Sequence, residues 1–252
     1  MTNTAETANQ STTVLITGGN KGLGCETARL LGDLGWRVLL AARDERRGRD
    51  AAERLAADGA DVAFIPLDVT SDESVAAAVT TVGRLTDRLD VLVNNAGITG
   101  EQVGPLDELV GPADTLPEHL GSVLAVNVLG PVRVTHAFLP LLRAADDPRV
   151  VMVSSGAGSL TIASDRERAE ASVAHLMYPT SKAALNMLTL QYAHGVPDVR
   201  FNMADPGFTA TDLNHHQGTQ SVTEGTDAIV ELATTSPGPT GRFRDRSGVV
   251  PW

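Results

Sequence analysis

Short apolar runs alternate with longer amphipathic stretches along this chain from residue 13 to residue 252. The short runs are rich in Val, Leu and Ile, which is typical of buried strands, while the stretches between them carry apolar residues at helical spacing. The pattern predicts strands at 13–17, 37–41, 62–66, 91–93, 149–154, 199–203 and 248–250. It predicts helices at 22–34, 44–57, 70–85, 115–142, 179–193 and 222–233.

A regular alternation of strands and helices predicts an α/β fold of the Rossmann type. Because crossovers between parallel strands are right-handed, the helices are expected on both faces of a doubly wound parallel sheet of about seven strands. No linker or internal repeat divides residues 13–252, which predicts a single domain. Residues 1–12 are polar, lack the apolar core of a signal peptide, and are predicted to form a disordered tail.

The acidic composition limits the kinds of partner. A net charge of −11 argues against electrostatic binding to nucleic acid or to a membrane surface, because both require a basic protein surface. No apolar run approaches the length of a membrane span. Cys25 is the one cysteine, so an intrachain disulfide is excluded, which fits a reducing compartment. We therefore expect a cytoplasmic protein that binds neither nucleic acid nor membrane.

A glycine-rich turn separates the first predicted strand from the first predicted helix. Such a turn lets the backbone approach a pyrophosphate, and the following helix N-terminus supplies free N–H groups and a partial positive charge. Glycines also build ordinary tight turns, so the interpretation depends on the strand before and the helix after. We predict that the cofactor contacts this segment through Gly18, Asn20, Lys21, Gly22, Leu23 and Gly24.

The end of the second predicted strand indicates which cofactor is bound. Ala42 stands where an NAD site usually carries an acid for the ribose 2′-hydroxyl, and Arg43 follows it. A guanidinium can hold a 2′-phosphate in bidentate fashion, and Lys21 lies in the glycine turn on the same side. Arg46 or Arg47 could extend the cluster. The alternative is that these arginines are solvated charges at a helix start, where cations are unfavourable without a nearby anion. We predict NADP(H).

Polar residues that could carry chemistry end one predicted strand, interrupt one predicted helix and open another. Asn127 lies in the long helix, Ser155 ends the fifth strand, and Tyr178 and Lys182 open the next helix. Residues four apart share a helix face, so the Lys182 ammonium can lie beside Tyr178. This ammonium, together with the positive nicotinamide of the oxidised cofactor, is expected to favour the phenolate and to lower the phenol pKa from about 10. Tyr178 can then donate a proton to a ketone oxygen as hydride arrives, or accept one in reverse, while Ser155 holds the substrate oxygen.

Asn127 interrupts an apolar helix face, where asparagine is a poor choice. The residue either makes a purposeful polar contact or is a satisfied buried amide.

In this order along this alternation, the motifs resemble the short-chain dehydrogenase/reductase family from residue 13 to residue 252, and residues 238–252 look like its carbonyl-reductase-like branch. The resemblance implies that Lys182 also binds the nicotinamide ribose and that Asn127 holds a water in a proton relay. It further implies that Asp68 and Val69 flank the adenine, that Asn94, Ala96 and Gly97 line the adenosine ribose and pyrophosphate, and that Pro206, Gly207, Phe208 and Thr211 wrap the nicotinamide end.

One spacing departs from the family pattern. Ser155 and Tyr178 are farther apart than is common in the family, and the charged stretch 165–170 lies between them. An insertion here in the carbonyl-reductase-like branch can obstruct the usual helix-to-helix dimer, so both a monomer and a homodimer stay open. The segment between Pro206 and Val222 is short, which favours an open substrate cleft. His215 and His216 within it are interpreted as surface residues, and no metal is expected.

These observations predict an NADPH-dependent oxidoreductase that transfers hydride between the cofactor and a ketone, an aldehyde or a secondary alcohol. One alternative is a non-catalytic NADP(H)-binding regulatory protein on the same fold, although such a protein has no need for an intact acid/base group. Another is an epimerase or dehydratase, but the short C-terminal part leaves little room for the substrate domain of nucleotide-sugar epimerases.

Overall fold

The computed structural model describes residues 11–100, 110–168 and 174–252. Residues 1–10 of the predicted tail lie outside the described residues, and so do the last two residues of the charged stretch 165–170.

Strands and helices alternate as the sequence pattern predicts. The strands of the described chain are β1 (Thr13–Thr17), β2 (Arg37–Ala42), β3 (Val62–Pro66), β4 (Val91–Asn94), β5 (Arg149–Val153), β6 (Arg200–Ala204), β7 (Phe243–Asp245) and β8 (Gly248–Val249). The α-helices are α1 (Gly22–Asp33), α2 (Glu45–Ala57), α3 (Asp72–Leu85), α4 (Pro117–Leu124), α5 (Gly130–Arg143), α6 (Leu160–Ser164), α7 (Met177–Gly195) and α8 (Val222–Thr234). A π-helical turn, Ala125–Leu129, joins α4 to α5.

The strands form one sheet in the order β3-β2-β1-β4-β5-β6-β7-β8. All neighbouring pairs are parallel except β7 and β8. The predicted single-domain, doubly wound α/β fold is therefore confirmed, with one strand more than predicted. The additional strand is β7, which is only three residues long and becomes a strand because Phe243 pairs with Met203 of β6. A run so short leaves no alternation in the sequence that could indicate a strand.

Helices bury both faces of the sheet. Strands β1, β4 and β5 are buried along their whole length, as expected for central strands of a parallel sheet. One face packs against large side chains such as Phe138 and Leu185, and the other packs against Leu31 and Ile229. Close packing of α2 depends on a glycine, since a Cβ on Gly48 would lie 2.0 Å from the Phe64 ring.

The helical run Pro117–Arg143 is 27 residues long and contains an 18-residue window of mean hydropathy 1.3, so it could cross a membrane by length and composition alone. The prediction that no apolar run approaches this length is therefore wrong for this helix. A core helix passes the same test, and this one buries Val123, Val134, Phe138 and Leu142. Arg133 interrupts the run of apolar residues, but the mean hydropathy of the most apolar 18-residue window still reaches 1.3.

The order of the strands decides where a ligand can bind. After β1 the chain builds β2 and β3 on one side, and from β4 onward it builds the other side. In open α/β sheets a crevice forms at such a switch point, outside the carboxyl ends of the strands. The fold therefore brings the glycine turn after β1 beside the segment that follows β4.

Candidate active site

The glycine turn after β1 has a backbone that only glycine accommodates. Gly18 and Gly22 adopt left-handed φ angles of 64° and 53°. A Cβ on Gly18 would lie 3.0 Å from Cα of Ala96, and a Cβ on Gly24 would lie 2.6 Å from the carbonyl oxygen of Gly18. The turn therefore packs backbone against backbone with the segment after β4, which leaves room for a ligand to approach the main chain.

Thr17 and Asn95 fix this contact. The Thr17 hydroxyl accepts hydrogen bonds from the N–H groups of Asn95 and Ala96, both at 3.0 Å. The Asn95 amide donates to the carbonyl oxygens of Thr17 at 2.8 Å and Gly18 at 3.1 Å. Asn95 is not among the predicted site residues, although its place in the Asn-Asn pair at the end of β4 is a signal that could have identified it.

Helix α1 begins at the glycine turn without a capping side chain, since its N-cap is Lys21 and Lys21 makes no capping hydrogen bond. Uncapped N–H groups at the start of a 12-residue helix suit an anion. A Cβ on Gly22 would lie 3.7 Å from the Thr211 methyl group, so the loop after β6 borders the same space. These features fit the pyrophosphate of a dinucleotide. Leu23 instead packs toward α8, because a Cβ on Gly225 would lie 2.9 Å from its Cδ2.

Lys21 is held by a carboxylate in the loop after β6. Its Nζ lies 2.8 Å from Oδ2 of Asp212, while Nε2 of His216 lies 3.0 Å from the other oxygen of the same carboxylate. The hydrogen bond from Lys21 holds the pKa of Asp212 below its usual range. No local pattern in the sequence indicates this pairing, because the two residues are 191 positions apart.

The predicted cation cluster is divided in the structure. Ala42 is buried at the end of β2, and the exposed Arg43 has no ion pair among the residues that the structure describes. Burial raises the pKa of Asp68, but hydrogen bonds from Thr70 and the charge of Arg43 outweigh it and hold that pKa below its usual range. A cavity of about 300 Å³ is lined by Asn20, Lys21, Arg47, Asp50, Arg54 and Asp212. Lys21 therefore shares this cavity with Arg47, and Arg43 lies outside its lining.

The residues predicted to flank the adenine follow β3. Asp68 accepts hydrogen bonds from the backbone N–H and the hydroxyl of Thr70 at 2.9 and 2.7 Å. Val69 is 8% exposed and packs against the start of α5, where a Cβ on Gly130 would lie 2.9 Å from it.

Asn94, the last residue of β4, turns its side chain away from the crevice. Its amide donates to the Thr135 hydroxyl at 3.1 Å and contacts Sδ of Met152 at 3.3 Å, and the residue is 3% exposed. Only its backbone is left to line a cofactor site. Gly97, in contrast, lies in the centre of the site, because a Cβ there would be 3.4 Å from Oδ1 of Asn127 and 3.7 Å from Nζ of Lys182.

Asn127 is a fully bonded buried amide in the π-helical turn. Its Oδ1 accepts from the Ile98 N–H at 2.9 Å, and its Nδ2 donates to the Ile98 carbonyl oxygen at 2.8 Å and to the Ser181 hydroxyl at 2.9 Å. Ser181 in turn donates to the Tyr178 carbonyl oxygen at 2.7 Å. Both interpretations of Asn127 therefore apply, since the amide is satisfied and it joins three parts of the site.

Lys182 is buried, at 4% exposure, beneath the Tyr178 ring. Its Nζ donates to the Val153 carbonyl oxygen at 2.7 Å and lies 5.4 Å from the ring centroid of Tyr178. Burial lowers the pKa of the Lys182 ammonium to about 8, while the nearby Asp205 carboxylate partly opposes this shift. The ammonium is therefore the prevailing form at neutral pH.

Tyr178 is hydrogen-bonded to Ser155, as the predicted substrate-holding pair requires. Burial raises the pKa of Tyr178 well above its ordinary value, Asp205 raises it further, and only the Ser155 hydrogen bond lowers it. With the residues of this chain alone, the shift is opposite to the lowering that the sequence predicts. Spacing along α7 indicated the nearby ammonium but not the burial or the carboxylate.

Asp205 is a site residue that sequence reasoning missed. It directly follows β6, and its Oδ1 accepts a hydrogen bond from the Gly207 N–H at 2.9 Å. A Cβ on Gly156 would lie 2.8 Å from its Oδ2. The signal was an acidic residue at the end of an apolar strand, immediately before Pro206.

The residues predicted to wrap the nicotinamide end lie in the loop after β6. Gly207 has a left-handed φ of 68°, and Phe208 is 42% exposed. Across the loop, Ala210 donates to the carbonyl oxygen of Gln220 at 2.9 Å, while Thr211 borders the glycine turn. Within the three described stretches, no group of three or more His, Cys, Asp or Glu side chains is arranged to hold a metal ion.

Residues 12–221 of this chain match the family model that describes the short chain dehydrogenases. The (+)-neomenthol dehydrogenase of Arabidopsis thaliana is 33% identical, over 93% of this chain and 96% of that protein. The salutaridine reductase of Papaver bracteatum is 31% identical, over 92% of this chain and 94% of that protein. The first alignment spans 287 positions, more than the 252 residues of this chain, so the relative carries residues that this chain lacks.

Solved structures match over almost the whole chain. An NADPH-bound carbonyl reductase from chicken fatty liver superposes with a TM-score of 0.82 at 26% identity, covering 96% of this chain and 99% of that one. The menthone neomenthol reductase from Mentha piperita superposes with a TM-score of 0.75 at 30% identity, covering 94% of this chain and 99% of that one.

Proposed function

This chain belongs to the short-chain dehydrogenase family and is an oxidoreductase of that type, and from that premise we propose that it is an NADPH-dependent carbonyl reductase. The reaction interconverts a ketone or aldehyde and the corresponding alcohol. The observation that carries the proposal is the pairing of Tyr178 with Ser155 next to the buried Lys182 ammonium. The three residues lie at the crevice outside the carboxyl ends of the strands, where folds of this type bind a nucleotide cofactor.

The nicotinamide cofactor, when bound, supplies or accepts the hydride. The Tyr178 phenol donates its proton to the carbonyl oxygen of the substrate, which becomes the alcohol oxygen, and the phenolate left behind is reprotonated. The Ser155 hydroxyl, already bonded to Tyr178, holds the same substrate oxygen in line with the phenol. In alcohol oxidation Tyr178 accepts the proton instead.

Lys182 stabilises the phenolate that forms when Tyr178 gives up its proton. Its hydrogen bond to the Val153 carbonyl oxygen aims the ammonium below the ring at 5.4 Å from the centroid. In a buried site, a charge at this range is worth more than it would be in water. Asn127 does not contact Tyr178 through its side chain in the bonds described, and it supports the backbone on which Tyr178 stands.

Two features support NADP(H) over NAD(H). Ala42 leaves no carboxylate at the end of β2, where one would repel a 2′-phosphate, and Arg43 is exposed there. Lys21 and Arg47 line the neighbouring cavity. Because the protein carries a net charge of −11, a phosphate must be held by cations at contact range. The NADPH-bound carbonyl reductase is a structural relative at 26% identity.

The non-catalytic alternative is less well supported, since the relatives compared above carry the names of dehydrogenases and reductases. We further propose a cytoplasmic enzyme that acts on a small molecule without nucleic acid or membrane, as a monomer or a homodimer. The single cysteine and the acidic surface support this proposal.

Tyr178→Phe tests the proposal. We expect NADPH oxidation against a panel of ketones and aldehydes, including the ketone related to neomenthol, to fall at least about 100-fold, because only the proton donor is removed. NADPH binding, followed by its fluorescence, should stay within about threefold. The matched control is Tyr192→Phe, which keeps the stacked ring on Phe201. A Tyr178→Phe enzyme that keeps most of its kcat would refute the assigned role.

A further inference from the structure

We propose that Asp205 is a positioning residue that acts through Tyr178 and Lys182: its carboxylate holds the pair in the fully protonated state, as phenol plus ammonium, and so poises the site to donate a proton. The proposal rests on the proposed function and adds to it a residue that sets the proton content of the site. Three observations carry it: the register of β5 and β6, the fixed position of the Asp205 carboxylate, and the negative charge of that carboxylate.

The strand register places Asp205 beside the pair. Val153 of β5 is paired with Ala204 of β6, and the Val153 carbonyl oxygen is the acceptor for the Lys182 ammonium. Asp205 follows Ala204 immediately, at the carboxyl end of the sheet, where Ser155 emerges from β5. The register therefore places the backbone of Asp205 next to the strand end whose carbonyl oxygen binds the ammonium, although Asp205 and Lys182 are 23 positions apart along the chain.

Two features fix the position of the Asp205 carboxylate. The Gly207 N–H donates to Oδ1 at 2.9 Å, which fixes one oxygen. The second oxygen lies against Gly156, where a Cβ would come within 2.8 Å, so the turn after Ser155 leaves space for it only because residue 156 is glycine. The side chain is partly buried, and an aimed charge at a partly buried position is weakly screened.

The charge of Asp205 acts in the same direction on both members of the pair. A carboxylate raises the pKa of any nearby acid, so it favours the phenol of Tyr178 and the ammonium of Lys182 alike. Among the residues that the structure describes, Asp205, which follows β6, is the charged group that shifts the pKa of both Tyr178 and Lys182, and Ser155, from the segment after β5, is an uncharged partner of Tyr178. The protonated pair carries one positive charge, which Asp205 balances.

A purely structural role makes a different prediction. If Asp205 served only to accept from Gly207, an asparagine would do the same work, because its Oδ1 accepts an N–H equally well. The proposal instead requires the charge. Asp205→Asn removes the charge and keeps the acceptor, whereas Asp205→Ala removes both, so the two variants separate the roles.

The chain suits a direct titration, because Lys21 and Lys182 are its two lysines. In protein with ¹³C-labelled lysine, the two side-chain signals are assigned with Lys21→Arg and followed by NMR against pH. The Lys182 midpoint, expected near the pKa of about 8, should fall by about one unit in both Asp205→Asn and Asp205→Ala. The matched control is Asp198→Asn, which removes an exposed carboxylate at the opposite end of β6, and its Lys182 midpoint should stay at the wild-type value.

Enzyme kinetics supply the second readout. Reduction requires the protonated pair, so the pH at which kcat for reduction is lost should move down by about one unit in Asp205→Asn. A Lys182 midpoint that is the same in wild type and Asp205→Asn, or one that moves only in Asp205→Ala, would overturn the proposal. The NMR titration needs no substrate, so it tests the role of Asp205 independently of the proposed function. If the Lys182 midpoint shifts but the protein turns over no carbonyl compound, the proposed function is wrong and the role of Asp205 is supported.

Discussion

Lys182 donates a hydrogen bond to a backbone carbonyl oxygen, and the charge of the Asp205 carboxylate favours its ammonium form. The Val153 contact fixes the position of the ammonium, and Asp205 limits how far burial lowers its pKa. The half-buried Tyr178 next to it is also desolvated, which favours the uncharged phenol. The site therefore holds its acid protonated, and a positive charge brought by an oxidised cofactor would be needed to favour the phenolate.

At the level of single residues, Arg43 and Arg47 offer a test of cofactor preference. We expect wild type to have a higher kcat/KM with NADPH than with NADH, and Arg43→Ala to lose about ten- to a hundredfold with NADPH, because a charge-assisted hydrogen bond to the 2′-phosphate is lost. NADH lacks that phosphate, so its kcat/KM should change little.

Arg47→Ala is the companion measurement, because Arg47 lines the cavity with Lys21 and Arg43 does not. Arg49→Ala, an exposed arginine on α2 paired with Glu45, is the matched control and should affect neither cofactor. Equal losses with NADPH and NADH in Arg43→Ala, or a wild type that favours NADH, would contradict the assignment of Arg43 to the 2′-phosphate.

At the scale of elements, the π-helical turn between α4 and α5 joins the helix to the site. Asn127 lies in this turn and bonds both main-chain groups of Ile98, after β4, and the Ser181 hydroxyl of α7. A wider helical turn at a functional site re-aims one side chain without ending the helix. This bonding makes Asn127 a joint between three elements as well as a candidate catalytic residue.

Asn127→Ala should therefore destabilise the protein as well as affect its activity. Removing the amide leaves buried partners at Ile98 and Ser181 unbonded, which should cost about 3 kcal/mol in the free energy of unfolding. For a chain of this size the corresponding fall in Tm is about 6–12 °C. Gln191→Ala, which removes an exposed amide from α7, should leave Tm within about 1–2 °C. Calorimetry of the two variants is the measurement, and equal Tm values would show that the joint adds nothing to stability.

At the scale of the whole molecule, several acidic side chains on the surface form ion pairs with Arg or Lys, and each of these cations lowers the pKa of its carboxyl partner. At the start of α8, Glu224 completes a capping box with Ser221 and also bonds Arg246, between β7 and β8. Hydrogen bonds from Arg29, Arg143, Lys21 and Arg246 hold the pKa values of Glu26, Asp198, Asp212 and Glu224 below their usual range.

These carboxyl groups make stability depend on acid pH. Hydrogen bonds from Arg246, and from the backbone and side chain of Ser221, lower the pKa of Glu224 from 4.5 to about 2. A carboxyl group with a lowered folded-state pKa stabilises the protein above its unfolded pKa, and this contribution is lost as the pH falls toward the folded value. The urea midpoint of wild type should therefore exceed that of Glu224→Gln at neutral pH, and the two should converge between pH 4.5 and about 2.

Glu53→Gln is the control for this experiment, because Glu53 is exposed on α2 and makes no ion pair within the described part of the chain. Its urea midpoint should track that of wild type at every pH. A gap between wild type and Glu224→Gln that stays constant down to pH 2 would contradict the linkage to Glu224.

The sequence by itself determined most of the fold of this protein and the identity of its candidate catalytic residues. Hydrophobic periodicity and residue composition are local properties of the chain. A short segment of sequence is therefore enough to predict a strand such as β1 or a helix such as α7. The glycine turn, Ser155, Tyr178 and Lys182 could be found in the same way, because their spacing on a strand–helix frame resembles that of a known family.

The tertiary structure alone decided which groups meet across the sheet. Strand β7 exists because Phe243 reaches Met203, Lys21 pairs with a carboxylate 191 positions away, and Asn94 turns into the core. Asp205 joins the Tyr178–Lys182 pair through the register of β5 and β6. Burial and charge act through space on whichever groups the fold brings together, so the direction of the Tyr178 pKa shift followed from tertiary packing and not from the spacing of residues along α7.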